Sequence, residues 1–187
     1  PNDGVFVHSK VNGKNATVTI ETEVENKNLQ PSNAVVYSII TDRNGKQLAK
    51  TSEQKVPLSV FGKATIKQNL NLNNVTFWSL ENPYLYKVIS VVKSGNQMVH
   101  QKKTRFGIKT VKFDSKEGFF LNGKKIKIQG TNNHQDHAGI GSALPDFMQY
   151  YRIKLLKEMG SNAYRASHNA PTPELLEACD SLGMLVV

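Results

Sequence analysis

Hydrophobic and polar positions alternate with period two through most of the first 110 residues or so. The alternation is clearest in four runs, which are Ala16–Val24, Ala34–Ile40, Ala64–Leu70 and Tyr86–Val92. This period is typical of strands with one buried and one solvated face. Turn signals separate the runs, at Asn12-Gly13, Asn44-Gly45, Gly62 and Ser94-Gly95. About seven short strands without a helical window predict a β-sandwich of the immunoglobulin-like type.

The pattern changes near residue 112. Phe119–Ile126 is predicted to form a small hairpin on an Asn-Gly turn, and Ile126–Ile128 a short strand. A helix is then predicted from Asp146, with Gln149 as its capping-box partner, to a stop at Gly160. Its predicted apolar face consists of Met148, Tyr151, Leu155 and Met159.

The last part of the chain repeats this order of strand and helix. Asn162–Arg165 is predicted as a second strand, and Thr172-Pro173 opens a second helix that ends at Gly183. Its apolar stripe consists of Leu175, Cys179 and Leu182. Met184–Val187 is an apolar run of the buried parallel-strand kind. The order β-α-β-α-β requires a parallel sheet covered by helices.

The predicted fold is therefore multi-domain, β plus α/β. Residues 1–111 are expected to form the sandwich, and residues 112–187 the beginning of an α/β barrel. Three strands and two helices do not close a barrel, and they leave an open sheet edge. We therefore expect an incomplete (β/α)8 TIM barrel, and a chain that is part of a longer protein.

Polar side chains follow the first two barrel-type strands. His134, Asp136 and His137 come after the first, and His168 comes after the second. The carboxyl ends of strands form the active site of α/β barrels, and neighbouring strands lie about 4.8 Å apart. We therefore expect His134 and His168 to face one pocket, with Arg165 beneath them. Imidazoles and a carboxylate suit sugar hydroxyls, which both donate and accept hydrogen bonds.

Each of these residues also has a structural interpretation. His137 and Asp136 are also suited to a loop and a turn, and the rings of His134 and His168 to capping backbone groups. Arg165 is also suited to a structural ion pair beneath the pocket. Asn132 is expected to brace the loop, and Cys179 to lie in the core. A metal site built from His134, Asp136 and His137 matches no strong ligand spacing, so no metal is predicted.

Composition narrows the classes of function. The formal charge is +9, but the lysines are spread among apolar residues as on the wet face of strands, so no nucleic-acid partner is predicted. Only the positive charge supports a nucleic-acid-binding function, and salt-dependent DNA binding would test it.

No stretch approaches the roughly 18 apolar residues of a membrane span. One cysteine excludes an internal disulfide, and no dinucleotide or phosphate loop is present, so no cofactor is predicted.

Several stretches together resemble glycoside hydrolase family 2, which includes β-galactosidases, β-glucuronidases and β-mannosidases. The strongest are Asn162–Pro171 and Ala178–Val187. Further agreement comes from Trp78–Tyr86, Arg105–Ile108, Phe120–Lys124 and Gly130–His134. Asn133–Asp146 is similar to bacterial β-galactosidase-like members.

The resemblance implies a retaining enzyme with two catalytic glutamates, whose carboxyl groups lie about 5–5.5 Å apart. None of Glu117, Glu158, Glu174 and Glu177 matches them, so no catalytic residue is expected in this chain and no hydrolase activity from it alone. The resemblance assigns sugar contacts to His134 and His168, and to Asp136 in glucuronidase-like members. The resemblance also gives Arg165 the role of supporting the nucleophilic glutamate. The common Ser-His-Tyr-Pro is replaced by Ser167–Pro171, which leaves the substrate open.

The predicted function is thus part of a retaining glycoside hydrolase that cleaves β-linked glycosides, β-galactosidase-like in type. A non-catalytic carbohydrate-binding or scaffold module is the alternative. A carbohydrate is the expected binding partner, and no association with a membrane is expected. Whether the full enzyme forms a homo-oligomer is left open. The compartment is unknown, and a periplasmic or extracellular bacterial site is favoured from the resemblance.

Overall fold

The computed structural model describes residues 3–187, which form two compact units. The first unit comprises the residues up to Thr76 together with Leu85–Ile108. The second comprises Phe77–Tyr84 and Lys109–Val187. The short segment Phe77–Tyr84 therefore packs with a part of the chain that follows it by more than 25 residues, which no periodicity in the sequence indicates.

The first unit contains eight strands in its described part. Their bounds are β1 Val5–Asn12, β2 Asn15–Glu25, β3 Ser32–Thr41, β4 Gln47–Lys50, β5 Gln54–Leu58, β6 Lys63–Leu72, β7 Tyr86–Ser94 and β8 Gln97–Phe106. One antiparallel sheet has the order β1-β2-β6, and the other has the order β4-β3-β7-β8 with β5 also paired to β3. The four predicted runs are confirmed as β2, β3, β6 and β7.

The core of this unit follows from the alternation. Inward positions of β2 and β6, such as Val24 and Ile66, pack against inward positions of β3 and β5, such as Val36 and Leu58. The outward positions carry charged residues, several of them paired, such as Lys67 with Glu21 at 2.9 Å. Such exposed pairs contribute little to stability, so apolar burial between the two sheets holds this unit together.

The second unit begins with a small antiparallel sheet of β9 Val111–Asp114, β10 Gly118–Leu121 and β11 Lys124–Lys125. The predicted hairpin on Asn122-Gly123 is confirmed, because both residues have positive φ, 52° and 78°. Positive φ at both central positions is the conformation that favours Asn-Gly in two-residue hairpins.

A parallel sheet of β12 Gly130–Asn133, β13 Ala163–Ala166 and β14 Leu185–Val186 follows. Helices α1 Asp146–Glu158 and α2 Pro173–Leu182 connect these strands, which confirms the predicted order of parallel strands and helices. The strand predicted at Ile126–Ile128 is wrong, since the first parallel strand begins at Gly130. Pairing starts there because the side chain of Asn162 accepts from the N–H of Gln129 and donates to the carbonyl of Lys127.

Two predictions for α1 are also wrong. Its N-cap residue is Pro145, and Asp146 makes no capping hydrogen bond, so no capping box forms with Gln149. The buried residues are Gln149 and Ile153, whereas Tyr151 and Met159 are exposed. At 100° per residue the buried face lies roughly a third of a turn from the predicted one. The buried face packs against Tyr164 and Leu175. Contacts with the rest of the unit, rather than the number of apolar side chains on each face, therefore determine which face of α1 is buried.

The predictions for α2 are confirmed. The side chain of Thr172 accepts from the N–H of Leu175, Pro173 occupies the first turn, and Gly183 ends the helix at φ 73°. Leu175 and Cys179 lie in the core with Met184.

The segment Phe77–Tyr84 is held by the end of α2 and its neighbours. The indole N–H of Trp78 donates to the carbonyl of Asp180 at 2.7 Å, and Trp78 is 2% exposed. The ammonium of Lys157 donates to the carbonyls of Leu80 and Gly183. A Cβ on Gly183 would lie 2.4 Å from the carbonyl oxygen of Leu80. The close approach requires glycine there, for steric reasons as well as for its φ.

We therefore expect Gly183→Ala to lower the free energy of unfolding by about 2–5 kcal/mol, because a left-handed φ and a steric overlap both oppose alanine. Gly123→Ala is the matched control. Gly123 also has positive φ, but no atom lies within 4 Å of the place that a Cβ would occupy there, so its cost is about 1–2 kcal/mol. Urea unfolding of both variants measures the difference, and equal losses would show that the Leu80 contact does not restrict this position.

Cys179 is confirmed as a core residue. It is 1% exposed, and burial raises the pKa of its thiol to about 12. The thiol therefore stays protonated in the folded chain at pH values where an unfolded cysteine ionises. Because the folded pKa is raised, its contribution to stability is present below about pH 8.5 and is lost as pH rises above that value.

Iodoacetamide at pH 8 should label Cys179 slowly in the native chain and rapidly in denaturant. A Cys179→Ala variant should lose stability less steeply above about pH 9 than the parent chain does. Rapid native labelling, at a rate independent of denaturant, would contradict the burial of this thiol.

Candidate functional site

The site is built on the parallel pairing of β12 with β13. Asn132 pairs with Arg165, and Thr131 pairs with Tyr164. Residues paired in parallel strands point to the same face, and successive residues alternate. Tyr164 points into the helices and is 1% exposed, whereas Arg165 and Asn132 are exposed on the other face. That face carries the polar side chains, and the helices cover its reverse.

Glycine at the start of β12 allows this pairing. A Cβ on Gly130 would lie 2.0 Å from the carbonyl oxygen of Ala163, a distance that backbone cannot accommodate. The two strands therefore approach closely at their beginning, and both run towards the same edge of the sheet. The loops that follow, from His134 and from Ser167, leave that edge side by side.

The rings of His134 and His168 meet at this edge. Their centroids are 5.7 Å apart, with 47° between the ring planes. Both residues are exposed, so the ring nitrogens can reach a molecule that binds there. The predicted closeness of these two histidines is confirmed. His168 has φ 65°, in the left-handed region that costs a non-glycine residue energy, so the fold holds this ring in place against a backbone preference.

Hydrogen bonds to backbone connect the two loops. Arg152 of α1 donates from its guanidinium to the carbonyls of His134 at 2.6 Å and Gln135 at 3.2 Å. The side chain of Gln135 donates to the carbonyl of Ala170 at 2.6 Å. The N–H of Ser167 donates to the carbonyl of Asn133 at 3.0 Å. The loop after β12 is thus connected both to α1 and to the loop after β13.

The sequence did not identify these bracing residues. Asn132 was expected to brace the loop, but its side chain makes no hydrogen bond within residues 3–187, which corrects that expectation. Asn133 braces the loop instead, because its side chain donates to the carbonyl and the hydroxyl of Thr131 at 2.9 Å each. No signal in the sequence pointed to Arg152, because the predicted apolar face of α1 did not include its buried neighbour Ile153.

The remaining predicted residues are placed as follows. Asp136 is exposed and makes no hydrogen bond or ion pair with the described part of the chain. Arg165 likewise has no ion-pair partner among residues 3–187, so the structural ion pair is not observed. His137 belongs to a tight turn, since its N–H donates to the carbonyl of Gly141 at 2.9 Å. No group of three or more metal-ligating side chains occurs in the described residues.

None of the four glutamates considered lies at the carboxyl edge of the parallel sheet. Glu117 is in the β9–β10 turn and contacts Lys125 at 2.8 Å. Glu158 is at the end of α1, and Glu174 and Glu177 are on α2. The described chain therefore presents imidazole, guanidinium, amide and carboxylate groups at this edge, without the pair of glutamates that double displacement uses.

The first unit contains a concavity. A cavity of about 530 Å³ is lined by residues of β2, β7 and β8, including Thr22, Ser90 and Lys102. None of the sequence-predicted site residues lines it. Among the described residues, no helix is long and apolar enough to cross a membrane.

The second unit has the βαβαβ order with which an α/β barrel begins, and polar side chains lie where its parallel strands end, which is the edge that carries the active site in that class of protein. Two family models match the chain. "Glycosyl hydrolases family 2" matches residues 3–109, and "Glycosyl hydrolases family 2, TIM barrel domain" matches residues 111–187. The chain belongs to glycosyl hydrolases family 2.

Similar proteins are named for more than one activity. A β-galactosidase, BoGH2A, of Bacteroides ovatus is 33% identical over 96% of this chain and 21% of its own length. A β-glucuronidase of Formosa agariphila is 30% identical over 98% of this chain and 19% of its own. The crystal structure of a Bacteroides uniformis β-glucuronidase matches with a TM-score of 0.92, at 32% identity, over 98% of this chain and 22% of that one. The chain spans about a fifth of the length of these curated relatives.

The backbone of His168 gives a test of the site's construction. His168→Gly and His168→Ala both remove the ring, but only glycine adopts φ 65° without cost. We expect the glycine variant to be more stable than the alanine variant by about 1–2 kcal/mol in urea unfolding. An alanine variant as stable as the glycine variant would show that this residue is not held in the left-handed region.

Proposed function

We propose that this chain contributes part of the glycone pocket of a β-glycosidase of family 2, most similar in type to the β-galactosidases. The observation that carries the proposal is the approach of the His134 and His168 rings at the carboxyl edge of two neighbouring parallel strands. A pair of imidazoles presents up to four ring nitrogens, each of which donates or accepts according to tautomer. Such a pair suits adjacent sugar hydroxyls.

The roles of the other residues follow from the resemblance together with their positions. Asp136, exposed and unpaired within the described chain, is available to accept from a sugar hydroxyl. Arg165 lies on a face below the histidines, where a guanidinium can hold the carboxylate of a nucleophile. We assign sugar contacts to His134, Asp136 and His168, and a supporting role to Arg165.

The negative charge of Asp136 affects neutral sugars and uronates differently. A uronate would bring a second negative charge next to it, and like charges at short range disfavour binding unless a cation intervenes. No cation pairs with Asp136 among residues 3–187. The resemblance, however, gives an acid at this position to glucuronidase-like members, and relatives named for both activities are similar to the chain, so Asp136 alone does not distinguish a galactoside from a glucuronide.

We propose further that the chain alone does not hydrolyse glycosides, because the two glutamates are not among its strand-end residues. The expected result is no release of p-nitrophenol from p-nitrophenyl β-D-galactoside or β-D-glucuronide above the blank. Turnover that disappears in a His134→Ala variant would contradict this proposal.

Sugar binding by the chain tests the pocket itself. In an NMR titration with D-galactose, ring signals of His134 and His168 should shift. His134→Ala should abolish the response of His168. His100→Ala is the matched control, because His100 is an exposed histidine on β8 of the first unit, and it should leave the response unchanged. Shifts that survive His134→Ala would place the sugar elsewhere.

A further inference from the structure

We propose that Arg152 is a positioning residue, which sets the separation and orientation of the His134 and His168 rings from a helix outside the strand-end loops. The importance of this role for sugar binding rests on the function proposed above. Its structural content, that one guanidinium holds the ring pair together, can be tested without any sugar.

The contacts of Arg152 are directed at the backbone of the site. One guanidinium nitrogen donates to the carbonyl of His134 at 2.6 Å, and the other donates to the carbonyl of Gln135 at 3.2 Å. Hydrogen bonds from a charged donor are shorter and stronger than neutral ones. Two consecutive carbonyls on one planar fork fix the direction in which the chain leaves β12, and so the direction of the His134 side chain.

The same contacts extend to the second histidine. Gln135, held by Arg152 through its carbonyl, donates from its side chain to the carbonyl of Ala170 at 2.6 Å. Ala170 lies two residues after His168, whose φ of 65° needs support from its surroundings. The path Arg152 to Gln135 to Ala170 therefore links α1 to both loops.

The surroundings of Arg152 indicate that the loop carbonyls are its principal partners. The residue is half-buried next to Ile153, which is fully buried, and no carboxylate pairs with it in the part of the chain that the structure describes. Its charge acts on Tyr164 of β13, where burial raises the pKa of the phenol and the nearby guanidinium opposes that rise. A cation that is partly desolvated without a carboxylate partner needs strong acceptors, and the two loop carbonyls supply them.

Arginine is required for geometric reasons. A lysine ammonium is a single point on a flexible stem, whereas the guanidinium presents several donors in a fixed plane. Arg152→Lys can satisfy one carbonyl but cannot hold both in one orientation. Arg152→Met keeps much of the apolar stem and removes both contacts. We therefore expect the His134 loop to lose its orientation in part in Arg152→Lys and completely in Arg152→Met.

The experiment compares Arg152→Lys, Arg152→Met and Lys154→Met in this chain. Lys154 is the control, because it lies on the same helix, is 57% exposed and has Glu158, at 3.8 Å, as its one ion-pair partner among residues 3–187. The first readout is the NOE between the ring protons of His134 and His168 without sugar. We expect it in the parent and in Lys154→Met, a weaker one in Arg152→Lys, and none in Arg152→Met. Methyl signals of Ile153 and Leu175 report whether the core is intact.

The second readout is the affinity for D-galactose, which should fall about tenfold in Arg152→Met and remain unchanged in Lys154→Met. A ring NOE retained in Arg152→Met with an intact core would overturn the inference. If Arg152→Met does not fold, Arg152→Lys decides, since an unweakened NOE there would also overturn it. If the NOE responds as expected but the parent chain binds no sugar, the positioning role stands and the proposed function fails.

Discussion

The close parallel pairing of β12 with β13 is the constraint on which the rest of the second unit depends. Gly130 allows the approach to Ala163, and the Asn162 side chain fixes where the pairing begins. Once that register is set, the pleat sends Tyr164 into the helices and Arg165 to the opposite face. It also makes two loops leave the same edge of the sheet. A shift of one residue would exchange the buried and polar faces, so the core and the site are fixed by the same hydrogen bonds.

The helices stabilise that register from the covered face. Ile153 of α1 and Leu175 and Cys179 of α2 surround Tyr164 and exclude water from it. The segment around Trp78 adds a second layer of support, through the indole contact with Asp180 and the Lys157 contacts with Leu80 and Gly183. Burial lowers the pKa of the Lys157 ammonium, and the negative charge of Glu81 opposes that shift. The polar edge is thus held by a well-packed unit, although its own residues are exposed.

The sequence predicted what depends on local period and turn chemistry. The alternating strands, the Asn122-Gly123 hairpin and the caps of α2 all carry their signal within a few residues. The inward face of α1 and the start of β12 were wrong because distant partners decide them. Tyr164 selects the face of α1, and Asn162 selects the first paired residue. In the site, the proximity of His134 and His168 followed from the geometry of parallel strands. The bracing by Arg152 did not, since it depends on how a helix packs over the sheet.

The central claim is that the two loops at this edge form part of a sugar pocket, and a crystal structure of the chain soaked with D-galactose tests it most directly. The account predicts one sugar within hydrogen-bond distance of ring nitrogens of both His134 and His168, with Asp136 next to a hydroxyl. A sugar bound only in the cavity of the first unit, or contacting neither ring at saturating concentration, would contradict it.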